Sequence, residues 1–200
     1  GRVIGVAIHA GFFAEPNPMN APYLTTDFRT DKGTEIHDHF NPQAYPIGLV
    51  NRTDIKGLYL RQFTEWGAIT SGLLNSTPKI GICIQDTAET ISVSILALEN
   101  LSNNLQLVVV ITEDKILDWQ TVEGQGNVQN YEHNHVLRDV ITPAFGDAIG
   151  SFSSQEVKTF NFNYNLNNNW VRENCNIVAY VFRDNNANKE VLQVEELHLE

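Results

Sequence analysis

The 200-residue chain is poor in cysteine and methionine, with two of the first and one of the second. Cys83 and Cys175 are its only thiols, and no Cys-x-x-Cys occurs. That excludes a disulfide-dense mini-domain and a cysteine-based zinc site. Positive charge is scarce too: 13 Lys and Arg stand against 24 Asp and Glu, a formal charge of −11. No basic cluster occurs, so nucleic-acid recognition, which needs grouped Lys and Arg against phosphate, is excluded. Apolar runs such as Leu107–Ile111 fall far short of the about 20 residues that cross a bilayer as a helix. A transmembrane helix is therefore excluded. Gly-x-Ser-x-Gly, His-Glu-x-x-His and both glycine-rich phosphate-binding patterns are missing as well. No catalytic residue, no metal and no cofactor is expected.

What is present points to a folded core. Ten Phe, six Tyr and three Trp are incompatible with disorder of the whole chain. The length allows one large domain or two small ones. Asn is abundant, at 22, which favours turns and wet strand faces and suits a secreted protein. The chain opens on the strand-like Gly1-Arg2-Val3-Ile4-Gly5-Val6, with neither a signal peptide nor an initiator methionine. A processed or truncated chain is expected.

The texture changes near residue 77. Before it, strand and helix signals alternate. Val3–His9 reads as a short buried strand. Thr30 or Asp31 can cap a helix over residues 31–40. Pro46-Ile47-Gly48-Leu49-Val50 opens a strand. Leu60, Phe63, Trp66, Ile69, Leu73 and Leu74 recur at helical spacing over residues 58–74. After residue 78, short strands are expected near 79–86, 90–98, 105–112, 131–141, 156–166, 175–183 and 190–199. Ile91–Ile95 alternates, and so does Phe160–Asn165, with all its aromatics on one side. Leu107–Ile111 is continuously apolar, as a central strand would be. Seven strands in about 120 residues match an immunoglobulin-like sandwich.

Few side chains carry chemistry. His133 and His135 stand two apart, and on a strand both rings would face one way. Such a pair can ligate a metal with one or two further groups from Glu132, Asp139 or His198, or simply hydrogen-bond a neighbouring edge. The second reading is preferred, because the spacing is unspecific. His9 ends the first strand. His37 and His39 would point about 200° apart on a helix and cannot share one ion. Asp184–Glu190 has oxygen side chains like a calcium loop, but Lys189 stands where that loop needs glycine, so a solvated hairpin turn is expected. The two cysteines could form an inter-sheet disulfide or remain free.

Several strings carry a family resemblance. They are Tyr131-Glu132-His133-Asn134-His135-Val136-Leu137-Arg138, Val191-Leu192-Gln193-Val194, Ile177-Val178-Ala179-Tyr180-Val181, Val3–Gly11, Asp27-Phe28-Arg29-Thr30 and Pro46–Arg52. Across most of its length the chain resembles the twenty-eight-kilodalton outer-membrane protein family of Bacteroidota. The resemblance implies a thioredoxin-like amino-terminal domain joined to a β-sandwich. The expected fold class is thus α+β in two domains. Residues 1–77 would form a partial thioredoxin-like α/β domain, its amino-terminal part missing. Residues 78–200 would form an immunoglobulin-like seven-stranded antiparallel β-sandwich.

The resemblance also implies that Pro46 is the cis-proline before a core strand. Members often carry a cysteine pair in the first helix of that domain, and Cys83 and Cys175 do not match it. Residence in the periplasm or outer membrane is implied, with lipid attachment through an upstream amino terminus. Asp86-Thr87-Ala88 resembles the short O-glycosylation signal of exported proteins in that phylum. The expected function is a non-catalytic binding or structural role in the cell envelope. The unknown envelope protein or glycan would be met by His133, His135 and Arg138, and by loops 120–131 and 184–189. The alternative is a thioredoxin-like thiol–disulfide oxidoreductase or redox chaperone whose cysteine motif lies upstream.

Overall fold

A computed structural model describes residues 2–17, 19, 23–87, 89–102, 104–122, 124–185 and 189–200. Helix α1 (Asp31–Phe40) forms as its signals dictate. Thr30 is the cap, its Oγ1 accepting from the Gly33 N–H at 3.0 Å. Asn41 ends the helix in the left-handed region, with φ of 47°. The Tyr45–Pro46 bond is cis. Strand β1 (Ile47–Leu49) then pairs antiparallel with β2 (Leu60–Gln62). The helix expected over residues 58–74 is shorter, α2 (Phe63–Leu73). Its first turn is lost because Leu60, Arg61 and Gln62 pair with Leu49, Gly48 and Ile47. Gln62 and Glu65 then close a capping box, in which the Gln62 N–H donates to Glu65 Oε2 at 3.0 Å. Gly48 is needed for close approach, since a Cβ there would stand 2.7 Å from Trp66 Cζ2.

The expected strand at Val3–His9 does not form as a ladder. These residues run extended, and only Ala7 makes a bridge, parallel to Val136. Among the described residues no further neighbour continues that pairing, so the segment is held by side-chain packing and two backbone bonds.

The rest is a β-sandwich. Strands β3 (Ile80–Asp86), β4 (Thr90–Ala97), β5 (Leu105–Glu113), β6 (Ile116–Val122), β7 (Gly126–His133), β8 (Val136–Val140), β9 (Asp147–Ala148), β10 (Val157–Asn163), β11 (Cys175–Arg183) and β12 (Val191–His198) follow in order. One sheet has the order β10-β4-β3. The other has the order β12-β11-β5-β8, with β9 also on β5. Strands β6 and β7 form a separate two-stranded ribbon. The sandwich therefore has eight strands among the described residues, against seven expected.

The eighth is the short β9, which pairs with β5 at Gln106 and Leu107; two further departures lie outside that count. The segment 120–131, read as a loop, is most of the ribbon. The strand expected at 131–141 is broken at Asn134-His135, where His135 has φ of 57°. Asp114 fixes that break: its Oδ1 accepts from the His135 N–H at 2.5 Å. Asn134 Oδ1 in turn accepts from the Lys115 N–H at 2.9 Å. The two ends of the ribbon are thus stitched where they leave the five-stranded sheet.

Between the sheets lies the main core, with Ile91, Val93, Ile95, Leu107, Val109, Ile111, Ile177 and Val181 fully buried. Phe160, Phe162 and Tyr164 join it from one side of the sheet. The opposite face of the five-stranded sheet is covered as well. There Val108, Val110, Leu137, Val140, Val178 and Phe182 pack beneath Ile4, Val6 and Phe145. Burial on both faces is why Leu107–Ile111 is apolar without alternation. The amino-terminal region lies on this second face. Arg52 sits 4.4 Å over the Phe182 ring and donates to Tyr180 Oη at 2.9 Å. Lys32 reaches the Val140 and Thr142 carbonyls. Both cysteines are free, Cys83 exposed on β3 and Cys175 buried on β11, so no inter-sheet disulfide forms.

Candidate functional site

The His-Asn-His string does not present two rings on one face. His133 ends β7 and is 6% exposed. His135 lies in the turn beyond, half-exposed, with its Nδ1 3.3 Å from Asp114 Oδ1. Arg138, on β8, joins His133 instead. The His133 ring lies 5.3 Å from Phe28, and the Arg138 guanidinium lies 5.8 Å from the same ring. A third member, His9, packs 5.2 Å from Phe28 and 6.0 Å from His133. Tyr131 closes the group at 4.9 Å from His133.

The electrostatics follow from burial. Loss of water lowers the His9 pKa from its ordinary value, helped by His133 and Arg138 and opposed by the Ala7 carbonyl. Burial also lowers His133, against the pull of the Trp119 carbonyl and Asp118. His9 Nδ1 and His133 Nε2 are buried without a hydrogen-bond partner. Arg138 Nε stands 3.2 Å from Glu113 Oε2, a contact of charges without the alignment of a hydrogen bond. Glu113 Oε1 accepts from the Val171 N–H at 2.9 Å. Glu113 also helps push the Cys175 thiol up to about 11, after burial as the larger cause. A thiol so placed is protonated at neutral pH and is no nucleophile.

Beside this cluster runs a groove of about 2090 Å³. Residues 2–10 form one wall, and 46–51 with Phe63, Trp66 and Leu73 form another. The base of the ribbon and residues 190–195 of the β12 region complete it. Its walls carry Ile4, Val6, Ile8, Ile47, Leu49 and Leu192. No strand among the described residues pairs with the second edge of β1 or of β12.

The other candidates are scattered. His37 is bound by Asp38 at 2.8 Å and by Tyr45 Oη at 2.6 Å. His39 packs on Phe145 at 4.6 Å. Lys189 closes the 184–190 turn on Asp184 at 2.8 Å, while positions 186–188 lie outside the described residues, as does Ala88 of Asp86-Thr87-Ala88. His198 is held by Asn176 at 2.9 Å. Among the described residues no group of three or more His, Cys, Asp or Glu side chains could hold a metal. Sequence reasoning missed Phe28 and the partnership of His9 with His133. Both lie in strings that carry the family resemblance, but more than 100 residues separate His9 from His133.

Fold and site together define a β-sandwich protein of α+β class with an open apolar groove along its amino-terminal wall. The chain belongs to the outer membrane protein Omp28 family, whose model matches residues 34–200. It is an outer-membrane protein by that membership, and among the described residues no helix is long and apolar enough to cross a membrane. Among solved structures it is similar to HBP35 of Porphyromonas gingivalis, at 16% identity over 82% of this chain and 55% of that one, with a TM-score of 0.65. The chain thus spans little more than half of HBP35. A protein of Agrobacterium tumefaciens matches at 12% identity over 90% of this chain and 75% of that one, with a TM-score of 0.51. A domain of the outer membrane lipoprotein Omp28 from Porphyromonas gingivalis matches at 20% identity over 62% and 91%, with a TM-score of 0.36. No curated protein matches.

Proposed function

We propose that the chain is a non-catalytic binding protein of the cell envelope, anchored by lipid upstream, whose groove receives an extended segment of a protein partner. The observation that carries this reading is the groove itself, with its β-branched and aromatic walls, one edge of β1 without a paired strand, and one edge of β12 that no strand pairs and that Asn51 engages at Val191. An open edge offers backbone hydrogen bonds to an added strand, and alternate pockets select its side chains. Such walls favour a polypeptide over the glycan that would also suit an envelope protein. Glu15, Asp118, Glu190 and Glu195 outnumber Arg2 and Lys79 around the groove, so the segment carries basic residues. His133 and His135 line this groove, and the Arg138 guanidinium lies 5.8 Å from the ring of Phe28, which lines it too.

A synthetic peptide of alternating valine and lysine tests it. Saturable binding that shifts the emission of Trp66 and Trp119, weakened by Phe63→Ser and Leu49→Ser, is the expected result. Equal binding of a proline-interrupted peptide would refute strand addition.

A second reading has its own support. The succession α1, β1, α2, with Pro46 before β1, matches the order that the family resemblance implies for the rear of a thioredoxin-like domain over residues 1–77, except for its opening strand and the added β2; an immunoglobulin-like sandwich over 78–200 would follow it. In that reading the parent polypeptide is a thiol–disulfide oxidoreductase or redox chaperone. It requires upstream cysteines whose serine variants lose insulin reduction, and a parent sequence without them ends it.

A further inference from the structure

We infer that residues 2–10 are fastened to the sandwich by an acid-sensitive latch, made of His9 and His133 packed around Phe28, which opens the groove wall when both imidazoles take up protons. The latch stands on its own geometry, whether or not a strand occupies the groove. Three rings form a closed triangle, with centroid separations of 5.2, 5.3 and 6.0 Å. Besides the packing of Ile4 and Val6 on the sheet and the Arg2 guanidinium on the Leu74 carbonyl, two backbone bonds tie the segment down: the Ala7 N–H donates to the His135 carbonyl at 2.7 Å, and the Leu137 N–H donates to the Ala7 carbonyl at 2.9 Å. Protonation would put two charges in this triangle, next to the permanent charge of Arg138.

The charges facing the latch do not neutralise it. From β8 comes Arg138, which is cationic. From β5 comes Glu113, already spent on Arg138. From the β5–β6 junction comes Asp114, held by His135 and by Asn176 Nδ2 at 2.9 Å. From β6 comes Asp118, which favours the charged form of His133 less than burial opposes it. From β7 come Tyr131, uncharged, and Glu132, which accepts from Asn134 at 3.1 Å. Beside Phe28, Asp27 and Arg29 satisfy each other at 2.9 Å. His9 and His133 have no ion pair among the described residues, whereas the exposed His135 has one.

The sign follows from linkage. Both folded-state pKa values lie below the ordinary 6.5, so the fastened state binds fewer protons than the released state. Fastening is complete above the ordinary imidazole value and is lost as pH falls through it toward the lowered values. Each imidazole contributes up to about tenfold per pH unit in that window.

Amide hydrogen exchange of the intact chain, corrected for intrinsic rates, tests the latch between about pH 7.5 and about pH 5. Protection at Ala7 and Leu137 should fall by tenfold or more, while β5 and β11 hold theirs. H9F with H133F keeps the aromatic packing and should make that protection independent of pH. Flat protection in the unaltered chain, or undiminished pH dependence in the double variant, overturns the latch. Should the double variant not fold, ring titration by NMR decides: His9 or His133 titrating at or above the ordinary value would overturn it as well.

Discussion

The sandwich and the amino-terminal region are stabilised differently. Strand β11 is buried at seven of its nine positions, and β5 at every one but Gln106. Helix α2 buries none of its eleven residues, and α1 buries only Gly33 and Ile36. One region carries its own core. The other owes its position to docking on β8 and β11, through Ile4, Val6, Lys32 and Arg52. Stability here is therefore uneven, and elements with few buried contacts open first.

Substitutions can break or sharpen that contrast. Arg138→Ala should cost the most, about 3 to 5 kcal/mol, because it leaves the buried Glu113 carboxylate without its cation. Ile177→Ala in the inter-sheet core should cost about 2 to 5 kcal/mol, whereas Leu73→Ala on α2 should cost under about 1 kcal/mol. Equal effects in denaturant unfolding would erase the distinction between the regions. The thiols offer a second contrast. Cys175, pushed up to about 11 from 9.0, should alkylate on the order of a hundredfold more slowly than an ordinary thiol near pH 8 from its thiolate fraction alone. The exposed Cys83 should react at once, so titration should find one fast thiol in the native chain and two after unfolding. Thr30→Ala removes the α1 cap and should cost about 1 kcal/mol, seen as faster exchange of the α1 amides.

Local signals were legible where local physics decides. Thr30 and Asn41 bracket α1 because capping uses atoms three or four residues apart. Alternation at Ile91–Ile95 announced β4, and the unbroken Leu107–Ile111 announced a strand buried on both faces. The helix over 58–74 was overextended, since the pairing of residues 60–62 with β1 cannot be read from helical spacing. Residues 120–131 read as a loop because Gln, Asn and Gly dominate them, yet 120–122 and 126–131 belong to a ribbon whose strands satisfy each other. The strand over 131–141 failed at His135, whose left-handed backbone depends on the Asp114 carboxylate 21 residues away.

The candidate site divides in the same way. His133 and Arg138 were singled out and do meet around one ring. His135 was grouped with them on strand periodicity, and the turn sends it to Asp114 instead. Sequence places His9 only at a strand end. Composition, spacing and capping residues thus determined by themselves the strand-rich class and most element positions, because each depends on neighbours along the chain. Only the tertiary structure decided which histidines share a cavity, which cysteine is inert and where the groove runs, because burial and charge act between residues that chain order keeps far apart.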